Sequence, residues 1–217
     1  MTARLAIFDC DGTLVEGQAS ICEAMEHAFA SAGLEAPDRR LIRRVIGLSL
    51  PVAVNRLLPD GEAEIHDAIT QAYKLAFREA RSRGGIEQPL IPGILAVLER
   101  LRGSGWQLGV ATGMSARGLS HCLATHKITD LFATLQTADT NPSKPDPSML
   151  QAALFECAVM ASDAVMIGDT AYDIMAAVRA GMRPIGVAWG YHEPRELTQA
   201  GAVFVADTPD QLLEYLL

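Results

Sequence analysis

Cysteine is scarce in this chain of 217 residues, acidic side chains outnumber basic ones, and long hydrophobic runs are missing. The four cysteines, at positions 10, 22, 122 and 157, lie far apart and form no C-x-x-C pair. We therefore expect reduced, mostly buried thiols rather than a disulfide framework or a zinc site. The formal net charge of −8 argues against a surface that binds nucleic acid or an anionic membrane. Because no apolar run reaches membrane-spanning length and no basic, apolar leader precedes the first apolar segment, we expect a cytoplasmic protein.

The residues that are present are typical of a globular α/β protein. Hydrophobic residues make up 49% of the chain and charged residues 20%, and the length suffices for one large or two unequal domains. Short apolar segments that alternate with helical patterns predict a doubly wound parallel sheet. The predicted strands are 5–8, 106–111, 164–167 and 184–189, and the predicted helices between them are 94–101, 115–126, 147–157 and 173–180.

Residues 16–86 interrupt this alternation with a purely helical pattern. The expected helices there are 20–32, 38–46, 50–58 and 62–83, and Gly84, Gly85 and Pro89 mark the return to the sheet. An insert directly after the first strand would stand over the carboxyl edge of the sheet, where ligands bind in such folds. We therefore predict a core domain of residues 1–15 and 87–217 and a helical cap domain of residues 16–86.

The most informative motif follows the first predicted strand, where Asp9 and Asp11 precede Gly12 and Thr13. Alternation along a strand puts both carboxylates on one side, and Gly12 allows a sharp turn that leaves them exposed at the strand end. Two like charges this close favour a shared cation or a proton on one of them. That layout suits a nucleophile or metal ligand beside a proton donor. Taken alone, the motif fits a plain Asx-type turn equally well.

Further polar groups follow the later strands at the same predicted edge. Asp169 and Asp173, spaced i, i+4, could ligate Mg²⁺, although Asp173 serves equally well as a capping or first-turn acid. Thr112 and Gly113 offer a hydroxyl and an open N–H to a phosphoryl oxygen. Lys144 lies in a loop that prolines hold stiffly.

Together these groups are suited to phosphoryl transfer, which needs a nucleophile, a metal, donors for the phosphoryl oxygens and an acid for the leaving group. Asp9 would attack phosphorus and become an aspartyl-phosphate. Asp11 would protonate the leaving alcohol and then activate the water that cleaves this intermediate.

Four segments in order resemble the four motifs of the haloacid dehalogenase superfamily: Asp9-x-Asp11-Gly12-Thr13, Thr112, Lys144-Pro145-x-Pro147 and Gly168-Asp169-x-x-x-Asp173. The order, the spacing and the helical insert are similar to those of its phosphoglycolate phosphatase-like branch, and the resemblance covers nearly the whole chain. It implies a Rossmann-like core with a mobile helical cap. It also implies a Mg²⁺-dependent phosphatase, a phosphoric monoester hydrolase acting on a small organic phosphate such as phosphoglycolate or a sugar phosphate.

The resemblance also implies roles for single residues. By position, Asp9 and Asp11 are catalytic; Thr112, Gly113 and Lys144 bind phosphate; Asp9, Asp169 and the main-chain carbonyl of Asp11 hold the metal; Thr13 and Asp173 support the site. The expected partner is a small-molecule phosphate ester bound by a monomer or homodimer, with no nucleic acid or membrane partner.

Two positions depart from the family pattern. Relatives often have Asn after the threonine of the second motif, where this chain has Gly113, and Asp-Ser after the first motif, where it has Glu16-Gly17. Asp11 points to phosphate esters, since family members that cleave carbon–halogen or carbon–phosphorus bonds lack an aspartate there. A sugar-phosphate mutase keeps both aspartates and stays an alternative. A phosphoacceptor signalling domain, which also uses clustered aspartates, is much shorter and lacks the insert.

The insert contains a cluster of arginines, Arg39, Arg40, Arg43 and Arg44, on roughly one side of a predicted helix. They could contact an anionic substrate, but a solvated face neutralised by Glu35 and Asp38 is the favoured interpretation. The segment Gly47-Leu48-Ser49 that follows resembles the specificity loop of the family. The five histidines show no metal-binding spacing, and the methionines at 25, 149, 160, 166 and 175 fall in apolar patterns typical of core residues.

Overall fold

The computed structural model describes residues 3–85 and 88–217. The predicted junction between cap and core, at residues 86 and 87, lies outside the described residues, as do residues 1 and 2. The strands are β1 (Arg4–Phe8), β2 (Trp106–Thr112), β3 (Thr134–Thr137), β4 (Ala164–Gly168), β5 (Arg183–Val187) and β6 (Phe204–Ala206). The helices are α1 (Gln18–Ser31), α2 (Arg39–Val45), α3 (Leu50–Leu57), α4 (Ala63–Ser82), α5 (Ile94–Gly103), α6 (Ala116–Thr125), α7 (Ser148–Cys157), α8 (Ala171–Ala180), α9 (Pro194–Ala200) and α10 (Pro209–Leu216).

The strands form one sheet in the order β3-β2-β1-β4-β5-β6, and every neighbouring pair is parallel. This confirms the predicted doubly wound α/β core. The chain runs outward from β1 to β3 and then returns to place β4 beside β1, so the strand order reverses between β1 and β4. Ligands bind at such a switch point in open parallel sheets. The sequence patterns did not predict β3 or β6, because strands of four and three residues are too short to carry a periodic signal.

The alternation of side chains along β1 divides the core between the two faces of the sheet. Ala6 and Phe8 belong to the apolar cluster that α5, α6 and α10 cover. Leu5 and Ile7 belong to the cluster that α7 and α8 cover. Asp9 is the next residue in this alternation, so its carboxylate lies on the face of α7 and α8.

The four helices α1 to α4 form a helical insert (residues 18–82) between β1 and α5. All four lie close to their predicted positions. They enclose an apolar cluster of their own that includes Ile21, Phe29, Ile42 and Ile69, and Tyr191 from the loop after β5 joins it. The helical insert lies over the carboxyl edge of the sheet. The division into a core and a cap domain stays a prediction.

Two predictions about exposure are wrong. Asp9 and Asp11 are 0% and 8% exposed, because the helical insert covers the edge of the sheet at which they stand. Met160 is 72% exposed, since Val159 beside it takes the inward position in the short link between α7 and β4. The four cysteines are free and buried as expected. Within the described ranges, no helix combines the length and hydrophobicity that crossing a bilayer requires.

Candidate active site

The carboxyl ends of three neighbouring strands bring the predicted residues together. Asp9 follows β1, Thr112 ends β2 and Asp169 follows β4. The Asp9 N–H donates to the carbonyl of Ile167 at 2.9 Å, so pairing with β4 continues one residue beyond β1. Because the strands are parallel, their carboxyl ends meet at one edge of the sheet.

The turn after β1 fixes the orientation of Asp169. Gly12 has a φ of +84°, and a Cβ atom there would lie 2.3 Å from Oδ2 of Asp169, so only glycine fits this position. The Thr13 hydroxyl donates to Asp169 Oδ1 at 2.7 Å, and the Tyr191 N–H donates to Asp169 Oδ2 at 2.9 Å. Both oxygens of this carboxylate are therefore held in place.

Asp9, Asp169 and Asp173 form a buried cluster in which one carboxylate oxygen of each lies within 4.8 Å of the others. Burial raises the pKa of Asp9 well above its ordinary value, although the charge of Lys144 opposes the rise. Burial likewise raises the pKa of Asp169, and the charge of Asp173 raises it further. Asp9 Oδ1 accepts the Cys10 N–H at 2.7 Å. Among the described residues, Asp9 Oδ2 has no hydrogen-bond partner.

Lys144 supplies a buried positive charge to this cluster. Its ammonium group lies 2.6 Å from Asp173 Oδ1 and 3.0 Å from Asp9 Oδ1, and it donates to the carbonyl of Ala111 at 3.1 Å. Burial lowers the pKa of Lys144, but the carboxylates of Asp173 and Asp9 outweigh that effect and hold the pKa above its ordinary value. The lysine thus stays charged although only 1% of it is exposed.

Asp173 combines two structural tasks. It is the third residue of α8 and forms a capping box with Thr170, whose N–H and hydroxyl donate to Asp173 Oδ2 at 3.0 and 2.7 Å. Its other oxygen pairs with Lys144. The expected first-turn role is therefore present. The ion pair between Asp173 and Lys144 was not predicted, because no sequence pattern links a residue of one loop to a helix that begins more than twenty residues later.

Asp11 lies in the segment between β1 and the helical insert, and it contacts a residue that the sequence analysis missed. Gln88 donates from Nε2 to Asp11 Oδ1 at 3.1 Å. Burial raises the pKa of Asp11 to about 6, and the hydrogen bond from Gln88 lowers it in part. A Cβ atom on Gly17 would lie 2.7 Å from Asp11 Oδ1, so the departure from the family pattern at this position leaves room for the carboxylate.

Gly113 lies against the loop between α2 and α3. A Cβ atom on Gly113 would lie 2.3 Å from the main-chain oxygen of Leu48. Gly47 of the same loop lies above the cluster, since a Cβ there would be 3.7 Å from Asp9 Oδ2. The buried Thr112 accepts the Met114 N–H on its hydroxyl at 3.2 Å. The asparagine that relatives often carry in place of Gly113 would collide with this loop.

Two of the four arginines in the cluster of α2 are paired with carboxylates, but with other partners than those expected. Arg39 pairs with Glu26 at 2.5 Å and Arg44 with Glu196 at 2.6 Å, while Arg43 donates to the carbonyl of Gly190 at 2.9 Å. Asp38 instead accepts the N–H of Arg40 at the start of α2. These arginines do not line the cavity above the site, whereas Gly47 and Leu48 do.

Comparison with known proteins agrees with this geometry. A model of the haloacid dehalogenase-like hydrolase family matches residues 6–187. The probable phosphatase IndB of Dickeya dadantii is 34% identical over 94% of this chain and 89% of its own. Phosphoglycolate phosphatase 1 of Pseudomonas aeruginosa is 30% identical over 97% of this chain and 78% of its own.

The fold is also that of a solved structure. The crystal structure of a predicted phosphoglycolate phosphatase from Haemophilus somnus superposes with a TM-score of 0.88 at 21% identity, covering 100% of this chain and 99% of that one. The sequence relatives agree with the expected class of enzyme, a phosphoric monoester hydrolase. The chain belongs to the haloacid dehalogenase-like hydrolase family.

Proposed function

We propose that this protein is a Mg²⁺-dependent phosphatase that hydrolyses a small organic phosphate monoester through an aspartyl-phosphate on Asp9. The observation that carries the proposal is the state of Asp9. Its carboxylate is fully buried beside two others, and its Oδ2 has no partner among the described residues. A buried acceptor without a partner is costly. The unpartnered Oδ2 of Asp9 is explained if a cation and a phosphoryl group bind next to it.

The donor set of the cluster fits a hard divalent cation. Carboxylate oxygens are the ligands that Mg²⁺ takes in proteins, and Lys144 alone cannot balance three buried carboxylates. We assign metal binding to Asp9, Asp169 and the main-chain carbonyl of Asp11, with Asp173 in a supporting position. When bound, the ion would neutralise charge on the phosphoryl oxygens and on these carboxylates.

In the first step, a carboxylate oxygen of Asp9 forms a bond to phosphorus while the bond from phosphorus to the ester oxygen breaks. Asp11 gives its proton to that oxygen, which leaves as an alcohol. Asp11 lines the cavity in which the alcohol would lie. Thr112, Gly113 and Lys144 donate to the phosphoryl oxygens and hold the group in line with Asp9.

In the second step, the carboxylate of Asp11 takes a proton from water, and the water oxygen attacks phosphorus. The bond between phosphorus and Asp9 breaks, which releases inorganic phosphate and restores both aspartates. Thr13 keeps Asp169 oriented throughout, through its 2.7 Å hydrogen bond.

The test is phosphate release from a panel of small phosphate monoesters, with Mg²⁺ and with a chelator. Release that requires Mg²⁺ supports the proposal, and a folded, Mg²⁺-binding protein that releases none contradicts it. The variant Asp11→Asn tests the general-acid role of Asp11 independently of the nucleophilic role of Asp9. This variant should slow the hydrolysis of esters of poorly acidic alcohols most and that of nitrophenyl esters least, because a nitrophenolate leaves without a proton. Equal losses for both would argue against the acid role.

A further inference from the structure

A cavity of about 400 Å³ lies between the helical insert and the sheet, and Asp11 and Thr112 are part of its lining. This volume falls within the range of pockets that hold drug-sized ligands. The phosphoryl-transfer site therefore opens into a space much larger than a phosphate group. That space is available to the alcohol part of the substrate.

The wall that the helical insert contributes to the cavity is largely apolar. It includes Ile21 and Met25 from α1, Ile42 from α2, and Tyr73 and Phe77 from α4. The last two stack with their ring centroids 5.3 Å apart. An apolar wall of this kind favours a leaving group with an apolar body, since both surfaces are then removed from water.

The same cavity is lined by four cationic side chains, Lys74, Arg78 and Arg81 from α4 and Arg117 from α6. None of the four pairs with a carboxylate in the part of the chain that the structure describes. The acidic residues in the lining are Asp11 and Asp139, and Asp139 accepts the N–H of Ala116 at 2.8 Å. The cavity thus carries an excess of positive charge.

Of these four cations, Arg81 gives the strongest evidence for a bound anion. Its Nε is buried and has no hydrogen-bond partner among the described residues. Its guanidinium reaches α6, since a Cβ on Gly118 would lie 3.9 Å from Nη2. Burial lowers the pKa of Arg81, and the charge of Arg117 lowers it further, so the two cations are close enough to repel each other. An unpaired buried donor beside a second cation is stabilised by an anion that contacts both.

We propose that Arg81 and Arg117 bind a second anionic group of the substrate, a carboxylate or a phosphate, at the end of an apolar leaving group. The proposal rests on the phosphatase function proposed above and specifies the substrate class of that site. Tyr73, Phe77 and Arg81 are spaced i, i+4, i+8 and share one face of α4. They present an apolar surface followed by a cation. A guanidinium suits either anion because it donates two parallel hydrogen bonds.

The test compares three matched series of esters of increasing chain length: alkyl phosphates, the same esters with a terminal carboxylate, and the same esters with a terminal phosphate. We expect kcat/KM of the wild-type protein to favour one doubly anionic series over the alkyl phosphates by about tenfold or more, mainly through KM. The preferred series identifies the group. Arg81→Met and Arg117→Met should each remove most of this preference, and Arg81→Lys should restore part of it.

Arg83→Met is the matched control, because Arg83 directly follows α4, pairs with Glu79 at 3.8 Å and does not line the cavity. It should keep the preference. Equal kcat/KM for all three series, or a preference that survives in both Arg81→Met and Arg117→Met, would overturn the proposed subsite while leaving the phosphatase intact. If the wild-type protein hydrolysed no ester at all, the phosphatase proposal would fail, and this one with it.

Discussion

At the scale of single residues, the site depends on one buried cation among three buried carboxylates. Lys144 contacts Asp9 and Asp173 at the same time. It thereby links the proposed nucleophile to the first turn of α8. Burying charges is costly. Here Lys144 offsets the charges of Asp9 and Asp173, and the cation that we propose would offset the charge of Asp169.

The first prediction concerns Asp9. Asp9→Asn keeps the shape of the side chain but removes the nucleophilic oxygen, so we expect phosphate release to fall by at least about 10³-fold. The fold should survive, since an amide relieves the repulsion with Asp169 and Asp173. Phosphate release and thermal unfolding would be measured together. Asp207→Asn, at an exposed position after β6, is the control and should behave like the wild-type protein. Near-normal turnover in Asp9→Asn would contradict the mechanism.

The second prediction concerns Lys144. Lys144→Met leaves two buried carboxylates without their cation, so we expect the free energy of unfolding in chelator to drop by about 3–5 kcal/mol. The double variant Lys144→Met with Asp173→Asn removes one of those carboxylates and should recover part of the loss. Denaturant titration of the two single variants and the double variant measures this coupling. Strictly additive losses would show that the ion pair carries little energy.

At the scale of elements, the loop between α2 and α3 rests on the loop between β2 and α6. The contact is so close that Gly113 has no room for a side chain. Gly47, in the loop between α2 and α3, lies over Asp9 Oδ2. The contact between the two loops therefore places the helical insert above the proposed nucleophile. The glycine that departs from the family pattern is therefore explained by packing.

The third prediction tests that contact. Gly113→Ala forces its Cβ against the Leu48 carbonyl, so the helical insert must shift away from the sheet edge. We expect kcat/KM for phosphate esters to fall by about tenfold or more, because positioning of the reacting groups is lost. Gly103→Ala is the matched control, since no atom lies within 4 Å of its added Cβ. If Gly113→Ala matched the wild-type rate, the contact would have no bearing on catalysis.

At the scale of the whole molecule, the sheet order and the insertion point together create the site. The reversal of strand order between β1 and β4 opens the carboxyl edge at Asp9 and Asp169. The helical insert, which leaves the chain directly after β1, closes that edge from above. The cation that we propose at Asp9 and Asp169 would contact both the β1 and β4 segments, and its binding energy would add to the stability of the folded chain.

The fourth prediction follows from this linkage. Saturating Mg²⁺ should raise the midpoint of thermal unfolding by roughly 5–10 °C relative to chelator, as expected for a ligand at about a hundred times its Kd. Asp169→Asn should abolish the rise, because it removes a proposed ligand. Sodium chloride at equal ionic strength controls for screening. A rise that persists in Asp169→Asn would place the metal elsewhere.

Much of the fold was predictable because its signals are local. The apolar segments that became β1, β2, β4 and β5 end at Asp9, Thr112, Asp169 and Gly190 or close to them, so the sequence indicated which residues share the sheet edge. The helical insert was recognisable from its periodicity. By contrast, β3 and β6 are short strands that depend on neighbouring strands for their pairing, and no local sequence pattern predicts them.

The sequence by itself determined the family, the parallel sheet and the residues gathered at its edge, because each depends on spacing along the chain. Only the tertiary structure decided what surrounds them. It buried Asp9 and Asp11 beneath the helical insert, paired Lys144 with Asp173, and neutralised Arg39 and Arg44 with Glu26 and Glu196. It also placed Arg81 beside Arg117 in one cavity. These features join segments distant in sequence, and burial, ion pairing and charge repulsion depend on distances that exist only once the chain has folded.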